Sequence, residues 1–138
     1  MKRLVIYVIV AGAFATCTPK LSPDNNWGNQ RWVLVEMKEV PVQQSGTRRD
    51  AFIEFSPSDK RFTGNGGCNR ISGNYSIGKK NTVHLGEVLS TKMSCDDINF
   101  ETTFLSALSK VNRYSIEERN MLLKDGNKVL LIFQSKQR

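Results

Sequence analysis

The chain has 138 residues, 39% hydrophobic and 24% charged, with a formal net charge of +7. This length fits one domain that can bury a sizeable core without obligatory crosslinks. Its basic residues are spread along the chain, with Arg48-Arg49 and Lys79-Lys80 as isolated pairs, and neither zinc-finger spacing nor an aromatic-glycine RNA motif is present, which argues against a nucleic-acid partner.

The first seventeen residues have the organisation of a bacterial export signal. A cationic start, Met1-Lys2-Arg3, precedes a run of apolar and small residues from Leu4 to Phe14, and Ala15-Thr16-Cys17 follows. A charged head, a short apolar run and small residues at its end are typical of a secretory leader. A short membrane anchor is the alternative, but the run is shorter than the about 20 residues that span a bilayer. We therefore expect an exported protein with residues 1–17 as its signal peptide.

Cys17 closes the apolar run, and its surroundings resemble the lipobox of bacterial lipoproteins. Ala15 fits that pattern, whereas Phe14 and Thr16 stand where the lipobox has Leu and Gly or Ala. The resemblance implies lipidation of Cys17 and a membrane-anchored protein of the cell envelope, at the outer membrane or in the periplasm, because several acyl chains hold a protein stably. Ordinary signal cleavage, which leaves Cys17 unmodified or removes it, is the alternative.

The rest of the chain is predicted to be a polar tether followed by one mostly β domain. Residues 18–30 are rich in Pro, Asn and Ser, which indicates a flexible tether, and the domain then covers residues 31–138. A loop rich in turn residues, expected to be exposed, spans 41–50. Short apolar and alternating runs predict strands near residues 31–35, 51–55, 61–63, 71–77, 82–85, 113–117, 120–124 and 128–134.

One segment has helical spacing. Phe100, Phe104, Leu108 and Val111 recur at helical intervals and predict an amphipathic helix from about residue 96 to 111. We expect its apolar stripe to lie in the core. The side chains expected to fill the interior of the domain are Trp32, Phe55, Tyr75, Leu108 and Phe133.

Two cysteines, Cys68 and Cys95, remain after the leader. An even pair in an oxidising compartment favours a disulfide. The glycine-rich run before Cys68 indicates a tight turn, since three glycines in four positions suit left-handed backbone or close approach. The alternative is a reduced pair with one reactive thiol, and an enzyme would then be conceivable.

The chemistry-bearing residues do not form a recognisable catalytic or metal site. His84 is the only histidine and lies within a predicted strand, and with Cys68 and Cys95 it would give a metal only three ligands. The glycine run leads into a strand and lacks the P-loop lysine. We therefore expect no enzyme activity, cofactor or metal. Candidate contacts for a partner or an anionic ligand are Asn69, Arg70 and Lys92, which flank the cysteines.

Two sequence blocks carry a resemblance to a known family. They are the Gly66–Tyr75 block, with its Gly-Cys-Asn-Arg-x-x-Gly-x-Tyr pattern, and Thr91-Lys92-Met93-Ser94-Cys95. Together with the opening Trp32-Val33-Leu34 and the closing strand pair, they resemble the META domain family of HslJ-like lipoproteins over residues 27–134. The resemblance implies an α+β fold, in which antiparallel strands curl into a partly open, barrel-like sheet packed with one helix. It also implies an envelope location and an association with stress responses, without a settled activity.

The function that we expect is that of a non-enzymatic, lipid-anchored envelope domain. It would be a monomer, held to the membrane by its anchor, that binds an envelope protein or component or helps maintain the envelope under stress. The alternative is a carrier that holds a small apolar or anionic ligand in the curled sheet. A packed interior with an exposed apolar patch would favour the first function.

Overall fold

The computed structural model describes residues 28, 30–38, 40–46, 50–94 and 98–136. The predicted leader with Cys17, most of the tether, the Arg48-Arg49 pair and Cys95 lie outside the described residues. Within the described part of the chain, no helix is long and apolar enough to cross a membrane.

The described residues form an antiparallel sheet and one helix. The sheet order is β5-β4-β3-β2-β1-β9-β8-β7, and β6 pairs with β4 next to β5. The helix α1 lies in the chain between β6 and β7. The elements are β1 (Arg31–Met37), β2 (Phe52–Ser56), β3 (Arg61–Asn65), β4 (Arg70–Ile77), β5 (Val83–Leu85), β6 (Leu89–Ser90), α1 (Ile98–Lys110), β7 (Arg113–Glu117), β8 (Asn120–Asp125) and β9 (Lys128–Lys136).

The sheet curls until its two edge strands meet. Thr82, just before β5, forms an antiparallel bridge with Arg113 at the start of β7. The Val83 N–H donates to the Asn112 carbonyl at 3.0 Å. These contacts nearly close the sheet into a barrel, and the predicted α+β fold, a curled, partly open, barrel-like antiparallel sheet packed with one helix, is confirmed.

The interior is filled by large apolar side chains from both the strands and the helix. Trp32, Phe62, Phe104 and Phe133 are completely buried. They come from β1, β3, α1 and β9, and the rings of Phe104 and Phe133 lie 6.2 Å apart. Because strand side chains alternate between faces, strands such as β2, β4 and β8 supply every second residue to this core. The five side chains predicted to fill the interior are all buried.

The segment 41–50 is attached to the barrel more closely than predicted. Val42 packs against the core, and Asp50 is buried. The Asp50 carboxylate accepts hydrogen bonds from the Ser45 N–H and hydroxyl, each at 2.8 Å, and from the Gly46 N–H at 2.9 Å. Prediction of a wholly exposed loop was therefore wrong at Asp50, because a buried carboxylate with several donors holds the loop against the sheet.

The two ends of the barrel carry different features. At the first, which we call the entry end, Gly28 bridges Phe55 and the chain enters β1. The β2–β3 turn lies at this end, because the last residues of β2 pair with the start of β1. The antiparallel pairing of the other strands places the β4–β5 and β7–β8 turns at the same end. The opposite, far end holds the turn between β3 and β4, the segment after β6 and the first turn of α1.

Candidate functional site

The two family-like blocks meet at the far end through the side chain of Asn69. Its amide oxygen accepts hydrogen bonds from the Met93 N–H at 2.7 Å and from the Thr91 hydroxyl at 3.0 Å. Backbone contacts run beside them, since the Arg70 N–H donates to the Thr91 hydroxyl oxygen and the Thr91 N–H donates to the Arg70 carbonyl, both at 3.1 Å. The turn and the segment after β6 therefore form one hydrogen-bonded unit.

Glu101, in the first turn of α1, joins the helix to this unit. Its carboxylate accepts the Asn69 N–H at 2.8 Å, the Asn69 amide nitrogen at 3.1 Å and the Ser90 hydroxyl at 3.0 Å. Glu101 and Asn69 are both buried. A buried carboxylate requires such donors, and an acidic side chain is favourable in the first helical turn. The arrangement therefore fixes the start of the helix against the turn.

The glycines of the turn allow this close approach. A Cβ on Gly66 would lie 3.0 Å from the Cγ of Glu101, and one on Gly67 would lie 2.8 Å from the Phe100 ring. Gly67 also has a φ of 109°, a left-handed value that other residues rarely adopt. The glycine run thus serves the packing of the turn on the helix.

Cys68 follows this turn and is half-buried. Cys95 lies outside the described residues, so the disulfide between Cys68 and Cys95 stays a prediction. His84 is exposed on β5, opposite Ser76 of β4. Across the described residues, no group of three or more His, Cys, Asp or Glu side chains could hold a metal ion.

The three candidate contact residues differ in exposure. Asn69 is buried and uses its side chain within the protein, so it positions neighbouring segments and does not face a partner. Arg70 and Lys92 are exposed. Among the described residues, neither cationic group makes an ion pair with a carboxylate. The structure therefore leaves Arg70 and Lys92 as the candidate contacts of this set.

Sequence reasoning did not identify the apolar residues beside these cations. Within the described part of the chain, the exposed large apolar side chains are Leu89, Met93 and Ile98, with exposed fractions of 57%, 64% and 67%. All three fall in the stretch 89–98. We call these three residues, together with Arg70 and Lys92, the contact patch.

An open groove on the outer face of the sheet begins at this patch. It has a volume of about 740 Å³ and runs from Leu89 and Arg70 across β4 and β3 to Phe52 and Arg31. The Arg31 guanidinium lies 3.9 Å from the centre of the Phe52 ring and forms a 2.8 Å ion pair with Glu54. The groove therefore has a polar floor with a cation at each end.

Comparison with solved structures supports the fold. An NMR structure of a protein from Burkholderia xenovorans has a TM-score of 0.67 and 24% identity, covering 81% of this chain and 85% of that chain. A crystal structure of a DUF4847 family protein from Bacteroides vulgatus has a TM-score of 0.58 and 17% identity, covering 82% and 96%. At these identities the likeness concerns the fold alone.

Comparison with sequences assigns the family. No curated protein matches the chain. The sequence model of the META domain matches residues 25–137, which include every strand, the helix and both blocks that meet at Asn69. The chain therefore belongs to the META domain family.

Proposed function

We propose that this chain is a non-enzymatic binding module of the cell envelope that holds a protein partner on its contact patch. One observation carries the proposal. The large apolar side chains exposed within the described residues all lie between Leu89 and Ile98. Scattered apolar residues are ordinary on a protein surface, whereas a group of them rimmed by polar residues marks an interaction site.

The backbone of the patch is held in place before any partner arrives. The Met93 N–H donates to Asn69, and the preceding Thr91 and Ser90 are bound to Arg70 of β4 and to Glu101 of α1. A surface that is already ordered loses less conformational entropy on binding. This supports a docking role for Leu89 and Met93.

The charges of the patch indicate the chemistry of the partner. Arg70 and Lys92 are exposed cations, and Arg70 lines the same groove as Leu89 while Lys92 directly precedes Met93 in the chain. A partner surface with apolar residues flanked by carboxylates would complement these cations. Opposite electrostatic potentials speed association and fix the orientation in which the partner binds. We therefore infer an acidic, partly apolar protein surface as the binding partner.

The interior gives less support to a carrier. Among the described residues, ten large side chains, including Trp32, Phe62 and Phe133, have less than 2% of their surface exposed. A ligand inside the sheet would have to displace this core, whereas the groove from Leu89 to Arg31 is open from outside. Binding on the surface is thus the simpler function. The envelope location rests on the predicted leader and on lipidation of Cys17.

The double variant Leu89→Ser/Met93→Ser tests the proposal. The lipidated protein is solubilised from envelopes in mild detergent. Its companion proteins are compared with those of Asn127→Ser/Gln134→Ser, which changes one exposed residue in the β8–β9 turn and one in β9. We expect one defined companion protein with the control and at least about a tenfold loss with the patch variant, as for truncated hot spots. An unchanged companion with both variants would contradict the proposal. A small ligand retained in a native mass spectrum would instead favour the carrier.

A further inference from the structure

Basic turns lie at the end of the barrel where the chain enters. The β2–β3 turn ends with Lys60, and the β4–β5 turn contains Lys79 and Lys80, all three exposed. The Tyr75 N–H donates to the Lys60 carbonyl at 2.8 Å, so the β2–β3 turn lies beside the last residues of β4, which lead into the β4–β5 turn. Gly28, which bridges Phe55, lies at the same end.

A fourth cation is tied to this group. The Arg113 guanidinium donates to the Lys80 carbonyl at 3.0 Å. Among the described residues, no carboxylate forms an ion pair with Lys60, Lys79, Lys80 or Arg113. The acidic side chain nearest in sequence, Asp59, accepts hydrogen bonds from Ser56 and Ser58. The four cations are thus available to an external anion.

Two of these lysines occupy costly backbone conformations. Lys60 and Lys80 each have a φ of 54°, in the left-handed region that glycine and asparagine adopt more readily. Strained positions of this kind often belong to functional surfaces. Lysine therefore occupies turn positions at which glycine would adopt the left-handed backbone conformation with less strain.

We propose that the entry end is a membrane-facing surface on which Lys60, Lys79, Lys80 and Arg113 contact anionic lipid headgroups. The proposal rests on the predicted anchor at Cys17. At most about 40 Å of extended chain separates Cys17 from Gly28, which keeps the domain close to the lipid that holds it. Electrostatic attraction reaches only about 8 Å at physiological salt, so a short connection to the basic end is what such docking needs.

This orientation has a consequence for the contact patch. The patch lies at the far end, beside Asn69 and the first turn of α1. Docking through the entry end directs Leu89 and Met93 away from the membrane, towards a partner. The membrane-facing surface and the contact patch consist of different residues, so an experiment can contradict either proposal without affecting the other.

Lysine footprinting of the lipidated protein tests the proposal. The protein is reconstituted into vesicles of phosphatidylcholine alone, or of phosphatidylcholine and phosphatidylglycerol mixed two to one. Acetylation of each lysine is followed by mass spectrometry. We expect anionic vesicles to slow acetylation of Lys60, Lys79 and Lys80 several-fold, while Lys38 and Lys128, exposed away from the entry end, react at the same rate on both vesicles.

Matched variants separate docking from anchoring. Lys79→Gln/Lys80→Gln should abolish the protection of Lys60, since each basic residue strengthens binding to an anionic surface about fivefold. Lys38→Gln/Lys128→Gln removes the same charge and should leave that protection intact. Equal protection of all lysines would overturn the proposal, and so would a chain that stays in solution when the vesicles are pelleted. The proposal would also fail if soluble dextran sulfate, added to protein on neutral vesicles, protected the same lysines.

Discussion

Asn69 accepts two hydrogen bonds with its amide oxygen and donates one with its amide nitrogen to Glu101. Its backbone N–H donates to the same carboxylate. Each donor and acceptor of this buried side chain is directed at a different segment, so the residue fixes the far end of the barrel. The sequence indicated Asn69 only as a candidate contact residue. Burial of Glu101, three residues after the start of the helix, also has no local sign in the sequence.

Replacing Asn69 by Ala should destabilise the domain by about 2–3 kcal/mol. The change breaks the hydrogen bonds to the Met93 N–H and the Thr91 hydroxyl and leaves part of the buried Glu101 carboxylate without its donor. An unsatisfied buried group costs more than a hydrogen bond contributes. Urea unfolding followed by circular dichroism measures the difference. Asn74→Ala, at an exposed position of β4, is the control and should stay within about 0.5 kcal/mol of the wild type. Equal stability of the two variants would refute the role of Asn69.

Asp50 should make stability depend on pH in the acid range. Burial alone raises the pKa of this carboxyl, but hydrogen bonds from Ser45 and Gly46 and the charge of Lys136 outweigh burial and lower the pKa. A lowered folded-state pKa gives stability that is fully present above the unfolded value of about 3.9 and is lost as pH falls through the folded value.

Urea midpoints between pH 6 and pH 2 measure this contribution. Asp50→Asn should be less stable than the wild type at neutral pH and should lose less stability on acidification. Ser45→Ala removes only the hydroxyl donor and should give an intermediate effect. Parallel pH curves for wild type and Asp50→Asn would show that the carboxylate contributes nothing specific.

At the scale of elements, periodicity predicted most of the fold. The helix was expected near 96–111 and is described as Ile98–Lys110, and the strands of the last hairpin were expected close to their observed bounds. Alternation of apolar and polar residues and helical spacing of apolar residues both indicate which side chains of a segment are buried. These elements could therefore be predicted from the local sequence. The two-residue strand β6 was not predicted, because its pairing with Ile71 and Ser72 depends on the distant β4 and on no local pattern.

The contact between the glycine turn and α1 is testable at this scale. Gly67→Ala should cost about 2 kcal/mol or more, because a Cβ there combines a left-handed φ with a clash against Phe100. Gly46→Ala carries a similar left-handed φ of 70° with no atom within 4 Å, and should cost less. Thermal unfolding compares the two. If Gly67→Ala and Gly46→Ala cost the same, the turn does not depend on close packing against the helix.

For the molecule as a whole, closure of the sheet depends on contacts that no local pattern reveals. The Thr82–Arg113 bridge joins segments far apart in the chain. The barrel was therefore expected only through the family resemblance, and the hydrogen bonds that join the two sequence blocks at Asn69 were not predicted. The contact patch also escaped prediction, since exposure of Leu89 and Met93 follows from the tertiary arrangement.

The predicted pairing of Cys68 with Cys95 bears on the stability of the whole fold and on whether either thiol is free to react. Exported protein is alkylated under denaturing conditions with and without prior reduction, and its intact mass is measured. We expect two thiols to react only after reduction, and the reduced protein to be less stable by roughly 3–4 kcal/mol, the value for closing a loop of this length. If both thiols react without reduction, the bridge is wrong and the turn around Cys68 becomes a candidate for chemistry.

Photo-crosslinking in living cells tests most directly whether the contact patch holds a protein partner. A photoactivatable phenylalanine analogue is placed at Leu89 or Met93, and at the exposed Asn127 as a control. We predict one discrete crosslinked product from Leu89 and Met93 that is absent from Asn127. No product at either patch position, or the same products from all three, would contradict a specific partner at this surface.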